Sequence, residues 1–338
     1  MKRVPTTAMA TKSMIDLKFV IVSGKGGVGR TTVAATLARV AAGAGKRVLI
    51  AEATTTDRLA RMFGRSEPLA SKITTLAPGI DAVNVTPATS MQEYGVKILR
   101  SELVTRAVFE NRAVRGLLSA IPGLDGYAIL GKVWWHTTET VDGRPRYDLV
   151  IFDGPASGHA GLMFRIPQAI LNAMPMGPLA RDARSMLELW HDPTRTALVI
   201  VTLAEDLPAR ETMELAAVAR GPLALPLGPV VINALPTGAL SAPALDAVMS
   251  RWQERGGQAG TADAQRAGDA PLTPEETPLA TTLRLAASVR GQRQAADEIV
   301  QRLKHDLGLP IITLPRIPTA EIGPAIVAEL VPHLAAQL

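Results

Sequence analysis

The sequence predicts an α/β fold, with a doubly wound, mostly parallel β-sheet, helices on both faces and a helical subdomain. The first observation behind this prediction is a strand, a glycine loop, a helix and a second strand in succession, at 17–22, 24–32, 33–42 and 47–52. This order is a βαβ unit, whose two strands lie parallel and whose crossover is right-handed. The second observation is that apolar runs of strand length keep alternating with helical stretches, which is typical of this class. These runs lie at 80–85, 147–153, 196–203, 229–233 and 309–315.

The stretches between the strands carry helical signals. Capping residues precede some of them, and apolar side chains recur at helical spacing. The predicted helices lie at 58–63, 162–176, 178–190, 205–220, 279–303 and 322–338. Helical patterns over about 88–140 and 160–192 indicate the helical subdomain. Trp134 and Trp135 lie in it, where packing between helices is favoured over a platform for stacked bases. The methionines of this subdomain fit either core filling or an adaptable groove.

We predict a single domain over residues 17–338. Residues 1–16 are basic and small polar residues without the apolar core of a signal peptide, and we expect them to form a disordered leader. Residues 256–278 are poor in large apolar side chains, so we expect a flexible insertion there.

Composition narrows the function. The chain has 338 residues, of which 47% are hydrophobic and 20% charged, and it has no cysteine. Disulfides, thiolate metal sites and cysteine nucleophiles are therefore excluded, and a cytoplasmic location is expected. The net charge of +5 is spread along the chain, which speaks against nucleic-acid or membrane binding. No run reaches the length and apolarity that a membrane span needs.

The glycine loop is the strongest functional signal. Between a strand and a helix, glycines can turn backbone N–H groups toward phosphates, and the helix N-terminus adds positive potential. Thr31 would supply a hydroxyl to Mg²⁺. Arg30 stands where the phosphate-loop pattern has lysine. The residues predicted to bind phosphates are Gly24, Gly26, Gly27, Val28, Gly29, Arg30, Thr31 and Thr32. The alternative is a chance glycine turn before an unrelated helix.

A carboxylate ends the strand at 147–153. Asp153 stands at the carboxyl end of a buried strand, where open α/β sheets bind their ligands. Asp153 is therefore a candidate, with Thr31, for holding Mg²⁺ directly or through water. The alternative is that Asp153 only caps the helix that follows it.

Four stretches resemble one family of ATPases. Residues 25–32 resemble the deviant Walker A motif of the SIMIBI-class ATPases, which include MinD, ParA, the arsenite-pump ATPase and the tail-anchored-protein targeting ATPase. Residues 153–159 and 201–212 resemble the switch II and Val-Thr-x-x-Glu-x-Leu segments of the arsenite-pump and targeting branch. Residues 231–233 resemble its Val-Val-Asn segment, and Leu314-Pro315 falls near its C-terminal base-contacting loop. The layout is most similar to the paired bacterial ATPases of this branch.

This resemblance implies ATP and Mg²⁺ as cofactors and a nucleotide-sandwich dimer, formed by two copies or with a related ATPase. It implies that Lys25 reaches across the dimer to the partner's nucleotide. It also implies that Asn233 reads adenine and that Pro315 lies near the base. The client is expected to be an unidentified protein. Without cysteine, neither the arsenite site nor the shared zinc site of the family can form.

The departures from the family pattern predict weak hydrolysis. Arginine is a poor substitute for the compact ammonium of lysine inside a tight loop, which puts Arg30 in doubt as a catalytic group. At the position of the water-positioning aspartate of switch I the chain has Thr54, with Glu52 and Asp57 on either side. The loss of one such electrostatic group costs about 3 kcal/mol, or roughly a hundredfold in rate.

Three hypotheses remain open from the sequence. The first is an ATP-binding subunit with slow hydrolysis that donates Lys25 to a partner. The second is a competent homodimeric ATPase, in which Arg30 and either Glu52 or Asp57 replace the missing groups. The third is a positioning or scaffold protein like MinD or ParA, although the segment 326–333 is not the basic amphipathic helix that such an anchor requires.

Overall fold

The computed structural model describes residues 12–53, 58–99, 101, 103, 123–236, 247, 248, 250, 251, 278–319 and 321–338. Its strands are β1 Phe19–Gly24, β2 Val48–Glu52, β3 Thr74–Ala77, β4 Ile80–Asn84, β5 Thr140–Val141, β6 Arg144–Pro145, β7 Leu149–Ala156, β8 Thr196–Leu203, β9 Leu227–Leu235 and β10 Ile311–Pro315. Its helices are α1 Arg30–Gly43, α2 Leu59–Met62, α3 Pro87–Leu99, α4 Leu124–Thr138, α5 Ser157–Met163, α6 Ile166–Ala173, α7 Pro178–Trp190, α8 Asp206–Arg220, α9 Pro278–Leu307 and α10 Pro324–Ala335.

Eight strands form one sheet in the order β10-β9-β8-β1-β7-β2-β4-β3. All neighbours pair parallel except β3 and β4. The predicted mostly parallel α/β sheet is therefore confirmed. The order also places β1, which leads into the glycine loop, between β7 and β8 in the middle of the sheet.

Alternate residues of each central strand supply two separate cores. On β1, Val20 and Val22 pack in a cluster that includes side chains of α1, α2 and α10. Phe19 and Ile21 pack on the opposite face with side chains of α4, α7, α8 and α9. Because both faces are covered, the central strands are apolar over most of their length, as in Phe19–Val22 of β1, and polar residues lie mainly toward their ends. This is why they are visible in the sequence as continuous runs.

Two short features were missed by the sequence prediction. β3 pairs antiparallel with β4 at the edge of the sheet, and β5 pairs with β6 in a separate hairpin. β3 has half-buried and exposed positions, and all positions of the hairpin are exposed. Such strands bury little side-chain surface, so they carry no apolar run by which they could be recognised.

The single helix predicted over 162–176 is wrong, because two helices, α5 and α6, occupy this region. Pro167 lies in the first turn of α6, where a missing N–H group is tolerated. Between the two helices Phe164 is buried and stacks edge-on against Phe152 and Trp190, with ring centroids 6.3 and 5.3 Å away. The residue between the two helices is therefore part of the hydrophobic core, and its packing stabilises the break between them.

The predicted disordered leader, residues 1–16, extends too far toward the first strand. Met14–Asp16 forms a 3₁₀ turn, in which Met14 is buried in the core and Asp16 Oδ1 lies 2.8 Å from Lys46 Nζ. The insertion predicted over 256–278 lies outside the described residues except for Pro278, where α9 begins. No helix in the described ranges has the length and apolarity needed to cross a membrane.

Candidate functional site

The glycine loop leaves the sheet where two strands approach closely. Gly24 ends β1 and is paired with Val201 of β8. A Cβ atom on Gly24 would lie 2.0 Å from the backbone oxygen of Val201, so a larger residue cannot occupy this position without displacing a strand. The loop therefore starts at the carboxyl end of the central strands, at the edge where open α/β sheets bind ligands.

The N-terminus of α1 follows the loop and carries backbone donors. Its N-cap residue is Gly29, whose φ of 91° lies in the left-handed region that glycine adopts without strain. As a glycine it has no side chain that could cap the N–H groups of the first turn. Gly26 and Gly27, on the approach to the helix, are exposed. This combination of exposed backbone donors and a helix dipole can bind an anion.

Asn233 supports the loop from the end of β9. Its Nδ2 donates a hydrogen bond to the carbonyl oxygen of Val28 at 2.9 Å. A Cβ atom on Gly29 would lie 2.1 Å from this same Nδ2. The Val28 side chain is buried in the core, so Val28 can meet a ligand only through its backbone. In this structure the Asn233 amide thus binds the protein's own loop.

Thr31 and Asp153 form the acid–hydroxyl pair that the sequence suggested. Thr31 Oγ1 donates a hydrogen bond to Asp153 Oδ2 at 2.6 Å. Asp153 is 2% exposed, and burial raises the pKa of its carboxyl, while the hydrogen bond from Thr31 and the charges of Arg30 and Arg58 act in the opposite direction. A hydroxyl and a carboxylate in contact at a helix N-terminus are oxygen ligands of the kind that Mg²⁺ takes. The pair therefore fits a magnesium ion.

The Arg30 side chain is turned toward the protein. Arg30 Nη1 donates a hydrogen bond to the carbonyl oxygen of Gly154 at 2.5 Å, directly after Asp153 on β7. Burial lowers the pKa of the Arg30 guanidinium, the charge of Asp153 raises it, and the charge of Arg58 lowers it. Part of the donor capacity of Arg30 is thus already used by the backbone next to Asp153.

Lys25 makes an ion pair within its own chain. Its Nζ lies 3.0 Å from Oε1 of Glu211 on α8. The other carboxylate oxygen, Oε2, accepts a hydrogen bond from Ser157 Oγ at 3.0 Å. The hydrogen bond from Lys25 is the main reason that the pKa of Glu211 is lowered.

A cavity of about 820 Å³ opens beside the loop. Its loop side is lined by Gly27 and residues 29–32, and another side by Glu321–Pro324, which lead into α10. The third side carries Arg58, Arg61 and Arg65, from α2 and its two ends. The cavity is therefore bordered by the glycine loop and the N-terminus of α1, and by several cationic side chains.

Comparison with known sequences assigns the family. The sequence model of the anion-transporting ATPases matches residues 17–188, just over half of the chain. The chain belongs to this family. The assignment agrees with the resemblance to the arsenite-pump and targeting ATPases, and with the α/β sheet described above.

Individual relatives match at moderate identity. The chain is 30% identical to the ATPase BagA of Mycobacterium tuberculosis over 220 residues, which are 63% of this chain and 64% of that protein. It is 25% identical to the arsenical pump-driving ATPase of Escherichia coli over 221 residues, or 59% of this chain and 37% of that protein. It is 27% identical to the ATPase ASNA1 homolog 2 of Paramecium tetraurelia over 158 residues, or 45% of each. The chain thus spans less than two thirds of the length of these relatives.

In this member of the anion-transporting ATPase family, some of the predicted site residues lie close together and others lie apart. Arg30, Thr31 and Asp153 meet at the start of α1 and the end of β7. Glu52 is fully buried at the end of β2, paired in register with Asp153. Thr54 and Asp57 lie outside the described residues. Asn233 and Pro315 stand at the ends of neighbouring strands, and neither is among the described residues that line the cavity.

Two features of the site were missed from the sequence. The first is the arginine side of the cavity, Arg58, Arg61 and Arg65. Only Arg61 lies within α2, whereas Arg58 precedes the helix and Arg65 follows it, so helical spacing alone could not group them. The second is Glu211, which lies inside the segment 201–212 that carries part of the family resemblance. Its contact with Lys25 depends on how α8 packs, so no local pattern could indicate it.

Proposed function

We propose that this chain is an ATP-binding member of the anion-transporting ATPase family that hydrolyses ATP slowly and works as a nucleotide-sandwich dimer. Its partner is a second copy or a related ATPase. The observation that carries this proposal is the 2.6 Å contact between Thr31 Oγ1 and Asp153 Oδ2 at the N-terminus of α1. The contact supports the proposal because a hydroxyl and a carboxylate that could hold Mg²⁺ lie together at a helix N-terminus that could bind phosphates, as ATP with Mg²⁺ would require.

Binding is assigned to the loop and its neighbours. The backbone N–H groups of residues 26–32 would hold the phosphates, and Thr31 and Asp153 would hold Mg²⁺. A bound Mg²⁺ neutralises charge that develops on the transferred phosphoryl group. Asn233 and Pro315 are proposed to border the adenine, which requires the Asn233 amide to leave Val28 or to use its remaining hydrogen-bonding capacity.

Slow hydrolysis is inferred from Arg30. Its guanidinium is half-buried and bonded to Gly154, so it serves the end of β7 in addition to any phosphate. Arginine is also larger and less compact than the ammonium that the family places at this position. Glu52 is the described acid that could substitute for the missing aspartate of switch I, as the competent homodimeric ATPase would require. Its side chain is fully buried, which keeps it from positioning a water molecule from solvent and supports slow hydrolysis.

The dimer is inferred from Lys25. The side chain lies at the start of the loop, is 28% exposed, and is held by Glu211 only through a partly exposed ion pair. Such pairs contribute about 1 kcal/mol or less, so Lys25 can exchange Glu211 for a phosphate of the partner's nucleotide. The names of the relatives support an ATPase, and a chain without cysteine fits a protein client better than arsenite.

Calorimetric titration of the purified chain with ATP, in the presence and absence of Mg²⁺, tests the binding part. We expect binding that depends on Mg²⁺, and a turnover number below about 0.1 s⁻¹ in a phosphate-release assay. Brisk turnover would contradict slow hydrolysis and favour the competent homodimeric ATPase. The absence of ATP binding would contradict the proposal as a whole.

Lys25→Ala tests the dimer. With a non-hydrolysable ATP analogue, we expect wild type to sediment partly as a dimer and the variant as a monomer. Lys46→Ala is the matched control, because Lys46 pairs with Asp16 away from the loop. Equal dimer populations in wild type and both variants would contradict the role of Lys25.

A further inference from the structure

One exposed face of α2 carries cationic side chains into the cavity. Leu59, Ala60 and Met62 are buried against the core and fix the short helix in place. Arg58, the N-cap residue of α2, and Arg61 are exposed and line the cavity together with Gly27 and Thr31. The buried face therefore holds the helix, while its arginines face the space beside the phosphate loop.

The other two arginines at this cavity are already engaged elsewhere. Arg30 donates to the carbonyl oxygen of Gly154. Arg65 Nη1 donates to the carbonyl oxygen of Thr75 at 3.0 Å, which ties it to strand β3. Arg58 is thus an exposed cation on the cavity wall, close to the residues that would bind phosphate and magnesium.

The electrostatics distinguish Arg58 from Arg61. Burial is the main influence on the pKa values of Asp153 and Arg30, and the charge of Arg58 acts on both groups. Among the described residues, Arg30 and Arg58 are the two cations whose charges lower the pKa of Asp153. Arg58 therefore lies within electrostatic reach of Asp153, whereas Arg61 is not among the charges that act on this carboxyl.

We propose that Arg58 binds the terminal phosphate of a bound triphosphate and makes the site prefer ATP to ADP. This inference rests on the proposed ATP binding. Arg58 would supply, from the α2 side of the cavity, the positive charge that Arg30 shares with the carbonyl oxygen of Gly154. A planar guanidinium can donate two parallel hydrogen bonds to phosphate oxygens, which suits an exposed side chain that approaches from solvent. ADP lacks the phosphate that Arg58 would reach, so the contact discriminates between the two nucleotides.

Equilibrium titrations with four probes test this role. The probes are ATP, ADP, inorganic tripolyphosphate and pyrophosphate, each with Mg²⁺, and the proteins are wild type, Arg58→Gln, Arg58→Lys and Arg61→Gln. Arg61→Gln is the matched control, because Arg61 is also exposed and lines the same cavity. The two inorganic probes separate recognition of the phosphate chain from recognition of adenine.

We expect Arg58→Gln to lower the affinity for ATP and tripolyphosphate about tenfold. The affinity for ADP and pyrophosphate should fall less than about twofold. Arg58→Lys should recover part of the loss, and Arg61→Gln should stay within about twofold of wild type for all four probes. Equal losses for ATP and ADP, or equal losses in the Arg58 and Arg61 variants, would overturn the assignment to Arg58.

The two proposals fail in different ways. If wild type binds ATP and the Arg58→Gln variant keeps the same preference for ATP, only the role of Arg58 is overturned. If wild type binds tripolyphosphate with an Arg58-dependent preference but does not bind ATP, the nucleotide function is overturned and Arg58 remains a triphosphate-binding residue. If wild type binds none of the four probes, both proposals are overturned.

Discussion

Lys25 Nζ lies 3.0 Å from Glu211 Oε1, and the same carboxylate accepts a hydrogen bond from Ser157 through its other oxygen. The Lys25 and Glu211 side chains are 28% and 29% exposed. Glu211 therefore joins three parts of the site: the glycine loop, the start of α5 after β7, and α8. In the proposed dimer it competes with the partner's nucleotide for Lys25.

Glu211→Gln should release Lys25 and strengthen the proposed dimer. The amide keeps a hydrogen-bonding oxygen for Ser157 but removes the charge that holds the ammonium. Because a partly exposed ion pair contributes up to about 1 kcal/mol, we expect dimerisation two- to fivefold tighter. Sedimentation equilibrium with a non-hydrolysable ATP analogue measures it. Glu214→Gln, exposed three positions later on α8, is the control, and an equal effect there would mean that only net charge matters.

Arg30→Lys should leave ATP affinity within about twofold of wild type and raise turnover at least tenfold. Lysine would not make the hydrogen bond that the Arg30 guanidinium donates to the carbonyl oxygen of Gly154. Its compact ammonium can face the phosphates instead. Single-turnover phosphate release measures the rate. Arg39→Lys on the same helix, where Arg39 lies 4.9 Å from the Phe63 ring, should leave the rate unchanged. A slower Arg30→Lys variant would mean that Arg30 itself performs the charge stabilisation.

Gly29→Ala should destabilise the fold by about 2 kcal/mol. Alanine is strained at a φ of 91°, and its Cβ would lie 2.1 Å from Asn233 Nδ2. Urea unfolding of the protein without nucleotide measures the loss. Gly26→Ala is the control, because a Cβ there meets nothing within 4 Å and Gly26 is exposed.

Combining Gly29→Ala with Asn233→Ala separates the two causes of this loss. The double variant removes the side-chain conflict and keeps the backbone strain, so it should lose less stability than the two single changes together. Strict additivity of the two single variants would show that Asn233 does not contribute to the cost at Gly29.

Asp153→Asn should stabilise the protein in the absence of Mg²⁺ by about 1 kcal/mol at pH 7. Burial raises the pKa of Asp153 above its ordinary value of 3.8. As the pH rises through 3.8 the unfolded chain loses this proton first, so the native state loses stability relative to it. The neutral amide removes that penalty, and the difference from wild type should vanish in acid, where the carboxyl is protonated in both states.

Urea unfolding of wild type and Asp153→Asn at several pH values measures this difference in stability. Asp153→Asn should also lose the magnesium dependence of ATP binding. Asp297→Asn, an exposed position on α9, should change stability by less than about 0.5 kcal/mol at every pH. A less stable Asp153→Asn variant at pH 7 would mean that the contact with Thr31 outweighs the burial of charge.

Much of the central sheet could be predicted because its strands are buried on both faces. β1, β7 and β8 are visible as continuous apolar runs, and β8 occupies the predicted range, Thr196–Leu203. β3 could not be found, because it lies at an edge and pairs through its backbone with side chains partly in solvent. The break at Phe164 could not be found either, since it depends on the rings of Phe152 and Trp190.

The sequence by itself determined the glycine loop, the acid at the end of β7 and the family. These features are local: glycine spacing, a strand that ends in Asp153, and short motifs all lie within a few residues of one another. Only the tertiary structure decided which side chains meet. Thr31 and Asp153, Arg30 and Gly154, and Lys25 and Glu211 are each more than a hundred positions apart, and the parallel order of β7, β1 and β8 brings them to one edge. Contacts of this kind arise from strand order and helix packing, which no local pattern encodes.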